Sequence, residues 1–217
     1  MIPAPVSHIG LGLVLGLRHA FEADHIAAVA TIASRERSPL RAAFLGCFWG
    51  LGHLTSLLLV GLPVVALGLR FPHVLEVPLE LGVAAMIVFL GVGGLTRDRG
   101  QRPSHDHPHS LRALGRRPFC VGAAHGLAGT GALTLVILAT MPTRTDGIFY
   151  LGFFGMGSIL GMALASATLS IPIAVSGLVY TGMPLRLARA VSFASVIFGL
   201  FYGATTLMAA ISQHPVS

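Results

Sequence analysis

The chain has no lysine; all 14 of its basic residues are arginine. Charge of either sign is scarce. Asp, Glu, Lys and Arg make up 10% of the 217 residues, against about 25% in a typical soluble domain. That scarcity excludes an ordinary soluble globule. A disordered chain needs low hydrophobicity, whereas 54% of these residues are hydrophobic and the mean hydropathy is +0.81, which also excludes a collagen-like fibre. Cysteine is nearly missing: Cys47 and Cys120 cannot make a disulfide framework. The formal net charge of +6 is not a nucleic-acid patch, because the arginines sit at the ends of apolar runs rather than on one face.

The apolar runs themselves predict a membrane protein, in contact with the lipid bilayer along most of its length. A spanning helix needs roughly 20 apolar residues, and six candidate spans fit: 8–33, 42–68, 77–95, 119–141, 148–171 and 188–211. The N-terminus has no positively charged n-region, so Ile2–Leu17 reads as part of a retained first span rather than a signal peptide. From Gly147 to Leu185 no residue is charged. One straight helix there would be about 58 Å long at 1.5 Å per residue. Pro172, Gly177, Gly182 and Pro184 favour a span followed by a bent or re-entrant piece. The run after Arg41 is similar, with Pro63 and Pro72 near its end.

Arginine placement sets the orientation. The loops after spans one, three and five hold Arg35, Arg37 and Arg41; then Arg97, Arg99, Arg102, Arg112, Arg116 and Arg117; then Arg186 and Arg189. The opposite side holds Arg70 and Arg144. This bias puts those three loops in the cytoplasm and both termini outside a bacterial-type inner membrane.

A repeat is visible at a spacing of 106. Gly16-Leu17-Arg18-His19 aligns with Gly122-Ala123-Ala124-His125, and Leu45-Gly46-Cys47-Phe48 with Leu151-Gly152-Phe153-Phe154. Duplication of a three-helix unit, an odd number, requires the halves to face opposite ways, the plan of many transporters with a midplane site between halves. The expected architecture is therefore all-α: a single integral membrane domain over 1–217, six transmembrane helices as two inverted three-helix repeats at about 8–95 and 119–211, joined by a cytoplasmic His/Arg-rich loop at 96–118.

The first span carries five ionisable residues, Arg18, His19, Glu22, Asp24 and His25. Each costs at least about 2.5–3.5 kcal/mol at the bilayer centre. Imidazole and carboxylate together suit a divalent transition metal, with neutral imidazole favouring Ni, Co, Cu and Zn over Mg and Ca. Arg18 and Glu22 have the i, i+4 spacing of a helical ion pair. On a regular helix Asp24 would lie about 140° from His19, at 100° per residue. Either the helix is irregular there, or Asp24 orients a ligand from behind. A buried polar network that merely fixes helix packing is the alternative for the whole set.

His53, in Trp49-Gly50-Leu51-Gly52-His53-Leu54-Thr55-Ser56, and His125, in Ala124-His125-Gly126-Leu127-Ala128-Gly129-Thr130-Gly131, are lone histidines among small residues. Each reads either as a packing hydrogen bond or as a group facing an ion path, and the repeat match to His19 favours the second for His125. Thr55, Ser56, Thr130, Thr134 and Ser158 read as interhelical hydrogen-bond donors near that path. His105, His107 and His109 form a short His-rich tract suited to weak metal binding. Cys47 and Cys120 read as core residues.

The segment Arg18-His19-Ala20-Phe21-Glu22-Ala23-Asp24-His25-Ile26 resembles the signature of the nickel/cobalt transporter family, RHAxDADHI. It matches seven of the eight fixed positions, with Glu22 standing where the family has Asp. Leu51-Gly52-His53-Leu54-Thr55 resembles a weaker form of the family's second motif, and His125-Gly126-Leu127-Ala128-Gly129 is similar to the short six-span branch that includes UreH-type nickel permeases. The resemblance implies uptake of Ni²⁺ or Co²⁺ as transported substrate, with no cofactor and no catalysis, to supply urease, hydrogenase or cobalamin synthesis. It also implies His19, Asp24 and His25 as the metal-recognition residues, with His53 in support. No phosphate-binding P-loop pattern occurs, so transport would be driven by a gradient, the membrane potential or a partner. The rival readings are a metal exporter on the same scaffold, a membrane thiol-electron carrier using Cys47 and Cys120, and a urease accessory scaffold that transports nothing.

Overall fold

The computed structural model describes residues 4–67, 73–96, 111–128, 139, 141–180 and 182–213. Among them there are seven α-helices and no strand: α1 Ala4–His19, α2 Ala23–Ala33, α3 Pro39–Leu67, α4 Glu76–Thr96, α5 Leu111–Gly126, α6 Arg144–Val179 and α7 Met183–Gln213, with one 3₁₀ turn at His73–Leu75. Four contain apolar stretches long enough to cross a membrane: Pro39–Pro63, Glu76–Thr96, Arg144–Leu178 and Met183–Ser212.

The first predicted span is two helices rather than one. α1 tightens at its end through Phe21 N–H to Arg18 O (2.9 Å) and Glu22 N–H to His19 O (3.0 Å). Glu22 is extended, at φ −66° and ψ 152°, and α2 starts with Ile26 N–H to Glu22 O at 2.9 Å. The chain therefore breaks where its ionisable residues are densest. Non-helical backbone is tolerated at membrane depth where protein encloses it.

The segment after Ile171, expected as a separate bent or re-entrant piece, is part of the same helix. α6 runs without interruption through Pro172 to Val179, 36 residues and about 54 Å. Pro172 removes one backbone donor, and the helix continues through it. α3 likewise continues through Pro63 to Leu67. The loop expected over 96–118 is already helical from Leu111. Of the predicted span 119–141, residues 129–138 and 140 lie outside the described residues, as do Thr130, Thr134 and the His105, His107 and His109 tract.

Local signals set the helix starts. Pro39 takes the first helical position of α3, and Ser38 Oγ accepts from Arg41 N–H (3.4 Å). Thr143 caps α6 by accepting from Asp146 N–H (3.1 Å) while its hydroxyl donates to the Asp146 carboxylate (2.6 Å).

The outer faces are apolar and the interior holds the polar groups. Phe193, Ile197, Phe201 and Met208 of α7, and Met156, Leu160 and Leu164 of α6, are exposed. His25, His53, His125, Ser158, Ser170 and Ser192 are wholly or almost wholly buried. That inversion suits lipid, where buried polar side chains join helices and apolar faces meet acyl chains. Cys120 is exposed and Cys47 half-buried, so Cys120 is not the core residue expected.

Glycines set the closest crossings. α1 lies along α6 with Gly16 against the Phe154 backbone and Gly157 against Leu13 and Leu17. α5 lies along α3 with Gly122 against the Trp49 backbone and Gly52 against Phe119 and Ala123. A Cβ at any of these four would strike backbone. The two crossings share a register: 16 and 122, 13 and 119, and 17 and 123 are 106 apart, while 49 and 154, and 52 and 157, are 105 apart. Helices of the N-terminal half thus pack on helices of the C-terminal half, so the halves interleave. α4 packs chiefly on α7, with Gly91 and Gly94 against Ser192 and Val196.

α2 stands between these groups. Thr31 Oγ1 donates to Ser195 Oγ (2.9 Å), and Ser195 Oγ lies 2.9 Å from Ala27 O, which ties α2 to α7. The Arg35 guanidinium donates to Gly94 O and ties the end of α2 to α4.

Candidate metal centre

Five side chains from four helices meet beside the break between α1 and α2. His19 is the last residue of α1, Asp24 and His25 open α2, His53 sits midway along α3, and His125 lies one residue before the end of α5. All five are buried, His25 and His125 completely. The break solves the helical-wheel conflict. A second helix starting at Ala23 resets the direction of Asp24 and His25, so both face the same centre as His19. α5 comes close enough to contribute His125 because Gly126 lies against the His53 backbone.

The rings are in contact. Centroid distances are 4.4 Å for His19–His25, 5.1 Å for His19–His53, 5.2 Å for His25–His53 and 4.1 Å for His25–His125. His53 and His125 are farther apart at 6.3 Å. His19 Nε2 lies 3.3 Å from His53 Nε2. Asp24 is bidentate in function: Oδ1 is 3.2 Å from His25 Nδ1 and Oδ2 is 3.0 Å from His125 Nε2. A carboxylate accepts, so both imidazoles present N–H to it. That fixes the opposite nitrogens as lone pairs. His25 Nε2, His53 Nδ1 and His125 Nδ1 are buried with no hydrogen-bond partner. Unpaired buried polar atoms are costly, and these three belong to one cluster of side chains.

The donors fall into two clusters. Nitrogens of His19, His25 and His53, one from each, lie within 4.8 Å of one another, and so do one donor each from Asp24, His25 and His125. His25 belongs to both. Backbone dipoles add negative potential here. The C-terminal ends of α1 and α5 converge here, and their terminal carbonyls carry partial negative charge. Asp24, in the first turn of α2, offsets that helix's positive end.

Glu22 reaches the centre only through His19, with its carboxylate 3.1 Å from His19 Nδ1 and its side chain 40% exposed. The helical Arg18–Glu22 pair does not form; Arg18 is exposed at the end of α1, and Glu22 lies beyond the helix. Of the small polar residues, Ser56 donates to Ala123 O (2.6 Å), and Ser158 lies 3.3 Å from Gly16 O as well as 3.0 Å from its own Phe154 O. Thr55 instead bonds its own helix at Leu51 O (2.8 Å) and is exposed.

Three features went unread in the sequence. Trp49 is buried with its ring 5.8 Å from His125. The Thr31–Ser195 bond anchors α2. Glu80, a carboxylate inside the predicted span 77–95, accepts from Thr206 Oγ1 (3.3 Å) between α4 and α7. Only Glu80 carried a sequence signal, as a charge within an apolar run.

A chain whose described residues hold helices and no strand, with lipid-compatible faces and a buried cluster of imidazoles and carboxylate, is an integral membrane protein built around a centre of metal-ligating side-chain types. The chain is 29% identical over 214 residues to urease accessory protein UreH of Bacillus sp. (strain TB-90), covering 91% of this chain and 90% of that protein. The likeness to the UreH-type branch of the nickel/cobalt transporters thus runs along almost the whole chain, beyond the first-span signature. A second relative is chloroplast protein FOR GROWTH AND FERTILITY 2 of Arabidopsis thaliana, 26% identical over 167 residues. That match covers 70% of this chain but 44% of the plant protein, so the chain spans less than half of that relative. No family model and no solved structure matches.

Proposed function

We propose that this protein is a permease that carries Ni²⁺, and Co²⁺ as a related substrate, into the cell across a bacterial-type inner membrane. The observation that carries the reading is the convergence of His19, Asp24, His25, His53 and His125 at one buried place. Five such groups at membrane depth have no structural economy, and a set dominated by imidazole selects late first-row dications over Mg²⁺ and Ca²⁺. The likeness to a urease accessory protein agrees with delivery of nickel toward urease or a comparable metalloenzyme.

The proposed topology has six crossings. α1 and α2 form one broken crossing. α3, α4, α6 and α7 are four more, and α5 begins the remaining one. The arginine bias puts both termini outside. The shared register of the α1–α6 and α5–α3 crossings supports two inverted halves, with the centre between them as alternating access requires.

The test is accumulation of radiolabelled nickel, at nanomolar metal, in cells holding wild type, His25→Ala at a matched membrane level, or no protein. Wild-type accumulation that His25→Ala abolishes establishes an importer with its site at the break. Accumulation below that of empty cells, restored by the variant, makes the protein an exporter. Equal accumulation in all three removes nickel transport as stated here.

A further inference from the structure

We infer that the ion occupies two successive positions that share His25: one among His19, His25 and His53, the other among Asp24, His25 and His125. The inference rests on the proposed reading of the centre as a metal site and adds that the site is double.

The donor geometry does not close on one ion. Metal–nitrogen bonds are about 2.0–2.1 Å, so even opposed donors around one ion are only about 4.2 Å apart. The five side chains satisfy a limit near this in two groups of three, not as one group of five. His25 lies between the groups, 4.4 Å from His19 on one side and 4.1 Å from His125 on the other.

The two positions differ chemically. The first offers three neutral imidazoles and receives charge only indirectly, through Glu22 behind His19. The second includes the Asp24 carboxylate, and an ion there takes the place of the two N–H protons that His25 and His125 otherwise donate to it. An ion stripped of water is thus matched first by soft, uncharged ligands and then by a formal negative charge, or the reverse during release.

The shared ligand sits on the element placed to move it. His19, His53 and His125 belong to α1, α3 and α5, whose crossings with α6 and with each other are set by glycine on backbone. His25 belongs to α2, which is bonded at its other end to α7 and α4 through Thr31–Ser195 and Arg35–Gly94. Asp24 rides on α2 with His25, so a small displacement of α2 shifts the two together relative to His19, His53 and His125 without disturbing the tight crossings.

The test uses purified protein in detergent, with Co²⁺ as a spectroscopic probe and Ni²⁺ for affinity. His19→Gln and His53→Gln are independent lesions of the first position; His125→Gln damages the second and keeps an amide donor for Asp24. If there are two positions, each single variant still binds one equivalent. Affinity falls in each, and the position left intact still holds the metal. The Co²⁺ absorption of His53→Gln differs from that of His125→Gln, because only the former keeps the carboxylate position intact. His25→Ala and the His53→Gln/His125→Gln pair bind nothing. Loss of binding in His53→Gln or His19→Gln, with His125→Gln identical to wild type in spectrum and affinity, overturns the inference in favour of one imidazole position. Loss in His125→Gln alone overturns it in favour of one carboxylate position. Two distinct spectra from a protein that moves no nickel leave the double site standing and remove only the transport reading.

Discussion

Asp24 Oδ2 accepts from His125 Nε2 at 3.0 Å, joining residues 101 apart in sequence. This bond joins the N-terminal end of α2 to the C-terminal end of α5. Because the other carboxylate oxygen holds His25, Asp24 orients two imidazoles together. Asp24→Asn removes the charge and leaves an amide that cannot accept from both rings at once. Nickel affinity of the purified protein falls by about ten- to a hundredfold while helix content by circular dichroism is retained. Unchanged affinity would show that Asp24 neither binds nor orients.

Glu22 supports His19 from its solvent-reachable side. Glu22→Ala releases the His19 ring and weakens nickel binding by about tenfold. Glu22→Gln, whose carbonyl can still accept from Nδ1–H, weakens it less. The order wild type, Gln, Ala in equilibrium dialysis checks this, and a Gln variant as weak as Ala would assign the effect to charge alone.

The first-span motif made the centre's composition legible. His19, Asp24 and His25 stood out as ionisable residues in an apolar run, and the spacing of 106 singled out His125. Its geometry was not legible. Nothing in Ala20-Phe21-Glu22 is a strong helix breaker, and only in the folded bundle do His19 and Asp24 meet their partners His53 and His125 on other helices. Pro172 pointed the other way: it is a local breaker signal, yet α6 continues through it. Interleaving of the halves was hidden as well, since Gly16 and Phe154 meet only once both helices are placed.

The crossings depend on residues with no Cβ. Gly16→Leu and Gly122→Leu each force a side chain into opposing backbone. Overpacking of this kind costs about 1–3 kcal/mol or more, and both variants melt at lower temperature in detergent than wild type. An unchanged melting temperature for either would contradict the crossing described for that helix.

Ser195 anchors α2 to α7, meeting both Thr31 Oγ1 and Ala27 O. Ser195→Ala removes a membrane-buried hydrogen-bond link worth about 0.6–2 kcal/mol. Nickel uptake slows with little change in nickel affinity. Affinity lost in proportion to rate would instead place Ser195 among the groups that shape the centre.

Cys47 and Cys120 lie apart from the centre in character as well as burial, one half-buried and one exposed. A Cys47→Ser/Cys120→Ser protein keeps wild-type nickel uptake in cells. Abolished uptake in the double variant would revive the thiol-electron reading.

The most direct test of the central claim is nickel flux through the purified protein in sealed proteoliposomes, with wild type and His25→Ala reconstituted at equal density. The account predicts saturable entry of radiolabelled nickel into wild-type vesicles and only the leak of protein-free vesicles with His25→Ala. Equal entry with both proteins would contradict a transport site at the break between α1 and α2.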